Sequence, residues 1–315
     1  MGMVVRQQTF HELLKYLEKN CEVVPLDRVF DTDGDGGKRP RFAITFDDGW
    51  KDTAAVAFPL ADQRRMPIAV FVCPGLVNRL SPFWPERVIG ICRAVLASLV
   101  RERQFAGVCR AAGLEDPFSS NGELRIKEDR LLQQLKNLPE PELHSFLAKV
   151  DKLAAEWGDS GPADQFEATM GWQELIRLQE RGVSIGSHSQ NHAILTRLQK
   201  SEIASELAQS KRKIESVLGR QCALFAYPDG SWSLEAREEV RRQGYTHAFI
   251  NEIGVWTPGT DSWLIPRVNI WEGALTGPSE DFSRATFEYA TYWRCVRARF
   301  LHNRTLKRLS VRKSG

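Results

Sequence analysis

The 315-residue sequence predicts an α/β fold built on a parallel sheet or barrel. Amphipathic helical runs that end in glycine lead at once into short apolar strands, and this happens three times. WQELIRLQERG precedes VSIGS (183–187), SEIASELAQSKRKIESVLG precedes QCALFAY (221–227), and LEAREEVRRQG precedes YTHAFI (245–250). Glycine just past a helix supplies the left-handed residue that ends it at little cost. The same alternation occurs earlier, where RFAITF (41–46) and IAVFV (68–72) flank a helical stretch around 52–65.

Taken in order, the first helix, TFHELLKYLEKN, opens on Thr9 and Glu12 at capping-box spacing. The two strands RFAITF and IAVFV follow. Residues 78–165 are rich in Leu, Arg, Glu and Lys with little strand pattern. They are expected to form a mostly helical insertion that caps one end of an α/β body made of 1–77 and 166–275. Residues 276–315 are aromatic first and strongly basic afterwards, which reads as a terminal helix with a frayed basic tail. Peripheral contact of that tail with an acidic surface or the inner membrane face is the second reading.

A formal net charge of +3 gives no general nucleic-acid-binding surface. The six cysteines are scattered, without a C-x-x-C pair, and are expected to be buried reduced thiols. The start lacks a basic segment followed by an apolar core, and the most apolar stretch (88–100) is short and carries Arg93. A soluble, cytoplasmic chain is therefore expected. Nothing in the sequence sets its oligomeric state.

FAITFDDGW (42–50) is an apolar strand that ends in two carboxylates, Asp47 and Asp48. A solvated Asp-Gly turn accounts for them equally well in isolation, because burying both unpartnered would cost several kcal/mol. IGSHSQNHAIL (185–195) places His188 and His192 four apart after another strand. If a helix begins there, the imidazoles share one face and can hold one metal ion. Strand C-terminal ends of α/β barrels meet on one rim, and two His with one Asp and open positions is a catalytic coordination set. One carboxylate can then ligate while the other handles a proton. A third strand end, FAYPDGSW (225–232), could aim an amide near Asp229 at a reacting oxygen, although a plain β-turn explains it too. DTDGDG (31–36) matches the opening of a calcium loop, but the twelfth position is Phe42, so it reads as a solvated acidic loop.

TFDDG (45–49) and HSQNH (188–192), with IAVFV between them, resemble the first and second motifs of the polysaccharide deacetylase family, also called carbohydrate esterase family 4 or the NodB-homology domain. FAYPDG stands where many members have R-x-P-Y. The resemblance covers roughly residues 9–75 and 166–270. It implies a distorted (β/α) barrel of about seven strands, here open or lacking its first strand because the N-terminal region is short. It also implies a metal-dependent hydrolase that removes N-acetyl groups from an amino sugar in a bacterial polysaccharide or glycan precursor. By motif, Asp48, His188 and His192 would be metal ligands and Asp47 the catalytic base. The divalent metal would be zinc first, with cobalt, nickel or manganese as alternatives. Tyr227, Pro228 and Asp229 would supply oxyanion or substrate contacts, and Trp50, Trp84 and Trp232 sugar-stacking walls.

This chain departs from the family pattern in two places. Ala226 replaces the arginine that orients the base, and Arg267 in LIPRVNI is the expected substitute, so that Arg267→Ala should cost activity far more than stability. The family's L-x-H general acid has no counterpart; His247 reads as a core histidine and His302 lies in the basic tail. These departures support an alternative, a catalytically weak glycan-binding or assembly protein that keeps the metal site. A deacylase for another amide or an ester is the other alternative.

Overall fold

Strand period decides where each apolar side chain goes. In the computed structural model, residues 5–31, 39–78, 84–119, 122–158 and 169–296 are described. The chain divides into two compact units, Asn78–Thr169 and the remainder, Gly2–Val77 with Met170–Gly315.

The larger unit carries a six-stranded parallel sheet whose order follows the sequence: β3 (Ile44–Phe46), β4 (Ile68–Val72), β5 (Ser184–Ser187), β6 (Leu224–Ala226), β7 (His247–Ile250) and β8 (Ile265–Pro266). A separate parallel pair, β1 (Glu22–Val23) and β2 (Arg41–Phe42), precedes it. Sequential parallel order is barrel order. The sheet has six strands where about seven were expected, and it forms the open version: β3 and β8 are edges joined by no ladder. Alternate residues sort to opposite faces. Ile68, Val70, Val72, Phe225, Ala248 and Ile250 join the main core with the helices. Ala69, Phe71, Leu224, Ala226, Phe249 and Ile265 form the second, smaller cluster. Burial on both faces explains why these strands read as continuous apolar runs.

Helices α1 (Gln7–Asn20), α2 (Phe58–Asp62), α7 (Trp172–Glu180), α8 (Lys200–Leu218) and α9 (Leu234–Arg242) connect or flank these strands. Gly182, Gly219 and Gly244 sit at φ values of 88°, 65° and 79° where the last three helices end, as the repeated helix–glycine–strand pattern requires. The capping box expected at Thr9 does not form. Helix α1 begins earlier, at Gln7, so Thr9 is buried inside the first turn and its hydroxyl donates to Glu272 Oε1 at 2.6 Å. Glu272 opens the short helix α10 (Glu272–Leu275) and also accepts from the Arg6 backbone at 2.8 Å. Farther along α1, Tyr16 donates to Glu288 Oε1 of α11 (Arg284–Glu288) at 2.7 Å, so the C-terminal segment is fastened to the first helix.

The smaller unit contains α3 (Trp84–Val95), α4 (Leu99–Ala111), α5 (Leu124–Lys136) and α6 (Glu140–Glu156). Its core includes Ile91, Val95, Phe105, Leu131, Leu135, Phe146 and Val150, with Trp84 packed against them. All six cysteines are free and buried. Among the described residues, no helix is long and apolar enough to cross a membrane. The acidic loop at 32–38 and the basic stretch from 297 onward, with His302, lie outside the described residues.

Gly186 in β5 leaves room for the ring of Phe71. An added Cβ would lie 2.5 Å from Phe71 Cδ1 and 3.0 Å from the Leu224 carbonyl oxygen. Gly186→Ala is expected to destabilise the chain by about 1–3 kcal/mol through overpacking, read as a lowered denaturation midpoint with an unchanged m-value.

Candidate active site

Asp47 and Asp48 follow directly on β3, and the backbone turns sharply there: Asp48 has φ 70° and Gly49 φ 73°. The turn is pinned from both sides, by Gly49 N–H to the Asp47 carbonyl at 2.9 Å and by Met170 N–H to the Gly49 carbonyl at 2.8 Å. A left-handed aspartate is uncommon and costs on the order of 1–3 kcal/mol, which points to a functional constraint. The sharp turn sends the two adjacent carboxylates to different partners.

Asp47 meets Arg267, which lies just past β8 at the far edge of the sheet. The pair is bidentate, Nη1 to Oδ1 at 2.8 Å and Nη2 to Oδ2 at 2.7 Å. Arg267 also donates to Asn251 Oδ1 at 2.9 Å and to Thr45 Oγ1 at 3.3 Å, and its guanidinium sits 5.6 Å from the Phe71 ring centroid. Burial alone would raise the Asp47 pKa, but Arg267 and His188 outweigh it and hold the carboxyl below its usual range. The base expected from the motif is thus kept ionised.

Asp48 faces the histidines. Its Oδ1 lies 3.2 Å from His192 Nε2 and 3.5 Å from His188 Nε2, yet this buried oxygen makes no hydrogen bond of good geometry. Its Oδ2 accepts from the Trp50 indole at 3.2 Å. Burial opposes ionisation here too, but His192 and His188 bring Asp48 down to about 2. His188, at the end of β5, donates Nδ1–H to the Ala226 carbonyl at 2.7 Å, which leaves the Nε2 lone pair directed at Asp48. Burial lowers the His188 pKa and keeps the ring neutral. For His192 the same burial is overcome by Asp48 and Asp47, and the pKa is raised.

The two histidines do not share a helix face, as their spacing suggested. HSQNH is a tight turn with Ser189 at φ 64° and His192 at φ 61°. Glu206 of α8 holds it: Oε2 accepts the backbone N–H groups of Gln190 and Asn191, each at 2.9 Å, and Oε1 accepts Asn191 Nδ2 at 2.8 Å. Ser189 Oγ accepts Ala193 N–H at 3.1 Å. Gly75, after β4, lies against the turn, donating to the Gln190 carbonyl at 2.8 Å; a Cβ there would sit 2.2 Å from Asn191 Oδ1.

The chain's donors fit a divalent cation. Asp48, His188 and His192 offer one atom each, all within 4.8 Å of one another. An orphaned buried carboxylate oxygen facing a neutral imidazole nitrogen is the arrangement a cation completes. The Ala226 carbonyl and the Trp50 indole orient two of these three side chains from behind.

The third strand end departs from expectation. Tyr227 is fully buried, its N–H donates to the Phe249 carbonyl at 3.0 Å and its hydroxyl to the Trp263 carbonyl at 3.1 Å. Pro228 is buried beside it. Neither presents a group to a substrate, because both belong to the core under the turn. The amides of Gly230 and Ser231 are spent within the turn, on the carbonyls of Tyr227 and Pro228. Asp229 is exposed, left-handed at φ 57°, and close enough to raise the His192 pKa. Trp232 donates to Glu252 Oε1 at 3.0 Å. His247 is half-buried, stacked on Phe30 with centroids 4.2 Å apart. Sequence reasoning missed Glu206 and Asn251. Asn251 directly follows the strand YTHAFI, so its strand-end position was the available cue; Glu206 had none.

A family model described as polysaccharide deacetylase matches residues 141–248, which include HSQNH and FAYPDG but not TFDDG. Bacillus subtilis YxkH, a polysaccharide deacetylase by its description, is 25% identical over 101 residues, a match spanning 32% of this chain and 36% of that protein's length. The Streptococcus pyogenes deacetylase PplD, solved in complex with acetate, aligns with TM-score 0.55 and 14% identity over 87% of this chain and 85% of its own. IcaB from Ammonifex degensii aligns with TM-score 0.54 and 16% identity over 92% and 89%. At such identities the two structures share the fold.

The burial of the Asp47–Arg267 pair revises one expectation. Side-chain exposures of 17% and 12% mean that Arg267→Ala leaves a buried carboxylate unpaired. It should therefore cost about 3–5 kcal/mol of stability, and Asp47→Asn in the same background should recover part of that loss in denaturant unfolding. Glu206→Ala, which frees two backbone amides of the histidine turn, is expected to weaken zinc affinity about 10–100-fold in a metal titration.

Proposed function

We propose that this chain, a relative of the polysaccharide deacetylases, is a metal-dependent hydrolase that removes N-acetyl groups from an amino sugar in a bacterial polysaccharide or its precursor. The observation that carries the reading is the division of labour between adjacent carboxylates. Asp48 turns a buried oxygen with no well-aligned hydrogen bond toward two imidazoles, while Asp47 is ionised beside them by an arginine from the opposite sheet edge. The whole-protein activity of its relatives supports the substrate class, and the geometry supports the reaction type.

Asp48, His188 and His192 would hold the cation, with zinc suited to an N₂O donor set and cobalt, nickel or manganese also compatible. A divalent cation bound there supplies Lewis acidity toward an acetamide carbonyl and lowers the pKa of water. Asp47, kept charged by Arg267, accepts the proton of the attacking water. Arg267 fixes both oxygens of Asp47, so the carboxylate keeps one orientation through the step. Trp50 is committed to Asp48 and orients a ligand instead of stacking freely on a sugar. Asp229, exposed and near His192, lies where it would meet a substrate hydroxyl or the leaving amine.

Acetate release from N-acetylglucosamine oligomers and polymers is the direct test. Turnover should vanish with chelator and return with zinc. Asp47→Asn should lower kcat about 10²–10⁴-fold with metal content unchanged. Tight metal binding without acetate from any acylated sugar would instead identify a binding protein.

A further inference from the structure

We propose that Asn251 binds substrate: its side-chain N–H donates to a ring hydroxyl of the sugar whose acetamide is cleaved, an inference that rests on the deacetylase reading above. Asp47, Asn251 and Arg267 each come directly after the last residue of a strand, β3, β7 and β8. Ile250 and Pro266 pair in the parallel ladder, so Asn251 and Arg267 leave the sheet side by side. One guanidinium nitrogen, Arg267 Nη2, donates both to Asp47 Oδ2 at 2.7 Å and to Asn251 Oδ1 at 2.9 Å, which places the amide beside the base. The turn after β6 closes on Asn251 as well. A Cβ on Gly230, which sits at φ 70°, would lie 2.5 Å from Asn251 Cβ and 2.8 Å from its backbone nitrogen.

A guanidinium can only donate, so the atom that faces Arg267 must be the amide oxygen. The NH2 group is thereby turned away from the arginine and carries two donors. Among the described residues it meets no protein acceptor, and it is not a buried orphan, since the nitrogen of this half-buried side chain reaches solvent. Other N–H donors of the site are already committed. Arg267 Nη1 serves Asp47 and Thr45, and the Trp50 indole serves Asp48. His188 Nδ1 serves the Ala226 carbonyl, and the Gly230 and Ser231 amides close their own turn. Ionised Asp47 and Asp48 only accept. A sugar hydroxyl that enters beside them gives its proton to an acceptor and then needs a donor for its oxygen. Asn251 supplies one that is neutral and held in a single orientation by Arg267, so little side-chain freedom is lost when it binds.

The test is calorimetric titration of the zinc-loaded chain with an N-acetylglucosamine oligomer and with analogues that each lack one ring hydroxyl, alongside acetate release. Wild type should bind one analogue about tenfold more weakly than the parent oligomer. Asn251→Ala and the size-matched Asn251→Leu remove the donor, while Arg267 keeps both bonds to Asp47. In each variant the gap for that analogue should close, with the pH dependence of kcat unchanged. A gap that persists in both variants overturns the proposal, as does a wild type that binds all the analogues equally. Variants that bind the parent like wild type but shift the pH dependence of kcat also overturn it, because Asn251 would then act through Arg267 alone. Discriminating binding by a wild type that releases no acetate would instead sink the deacetylase reading and leave this role of Asn251 standing.

Discussion

Two adjacent carboxylates at a strand end cannot both be buried and ionised unless each has its own source of positive potential or donors. The chain meets this constraint by a left-handed Asp48 that sends the side chains apart, one to Arg267 and one to the histidines. Much of the surrounding architecture follows. β5 must deliver His188, the 188–192 turn must bring His192 back toward Asp48, and Ala226 must present a carbonyl and not a side chain to His188. The open edge of the sheet must leave Arg267 room to cross from β8 to β3. Several backbone positions around the site, Asp48, Ser189, His192 and Asp229, occupy the left-handed region that non-glycine residues avoid. Each costs on the order of 1–3 kcal/mol, offset by the packing of the strands beneath.

The sequence made the large elements legible because their causes are local. Apolar runs such as IAVFV, and glycines at helix ends, encode strand and helix limits within a few residues. TFDDG and HSQNH stood out because chemistry-bearing residues followed strand ends. Arg267 was identified as the substitute for the missing arginine, and the structure brings it to Asp47. What stayed hidden depends on contacts between distant segments. Glu206 sits on an ordinary amphipathic helix, and only the fold places its carboxylate under the histidine turn. Thr9 looked like a cap because its local spacing matched one, while Glu272, far along the chain, claims its hydroxyl.

The aromatic third motif shows the reverse error. Tyr227 lies in FAYPDG, and the resemblance of that segment to the family's third motif implies an oxyanion or substrate contact. Its hydroxyl is instead satisfied by the Trp263 carbonyl within the core. A buried tyrosine that finds a backbone acceptor is ordinary core economy, and position in a motif does not distinguish the two roles. The replacement of the usual arginine by Ala226 has a similar lesson: the side chain at this position is lost, but its backbone carbonyl still serves the site through His188.

The pairing of Asp47 with Arg267 joins residues 220 positions apart. During synthesis the strand bearing Asp47 leaves the ribosome long before the segment bearing its partner. Until β8 arrives, the carboxylate lacks the charge that keeps it ionised in a buried setting, and the first and last strands of the sheet have nothing to tie them. Joining the two edges of the sheet and pairing the Asp47 carboxylate are therefore the same event. A fragment that stops before Arg267 would carry both TFDDG and HSQNH and still lack the ion pair that joins them to the far edge of the sheet.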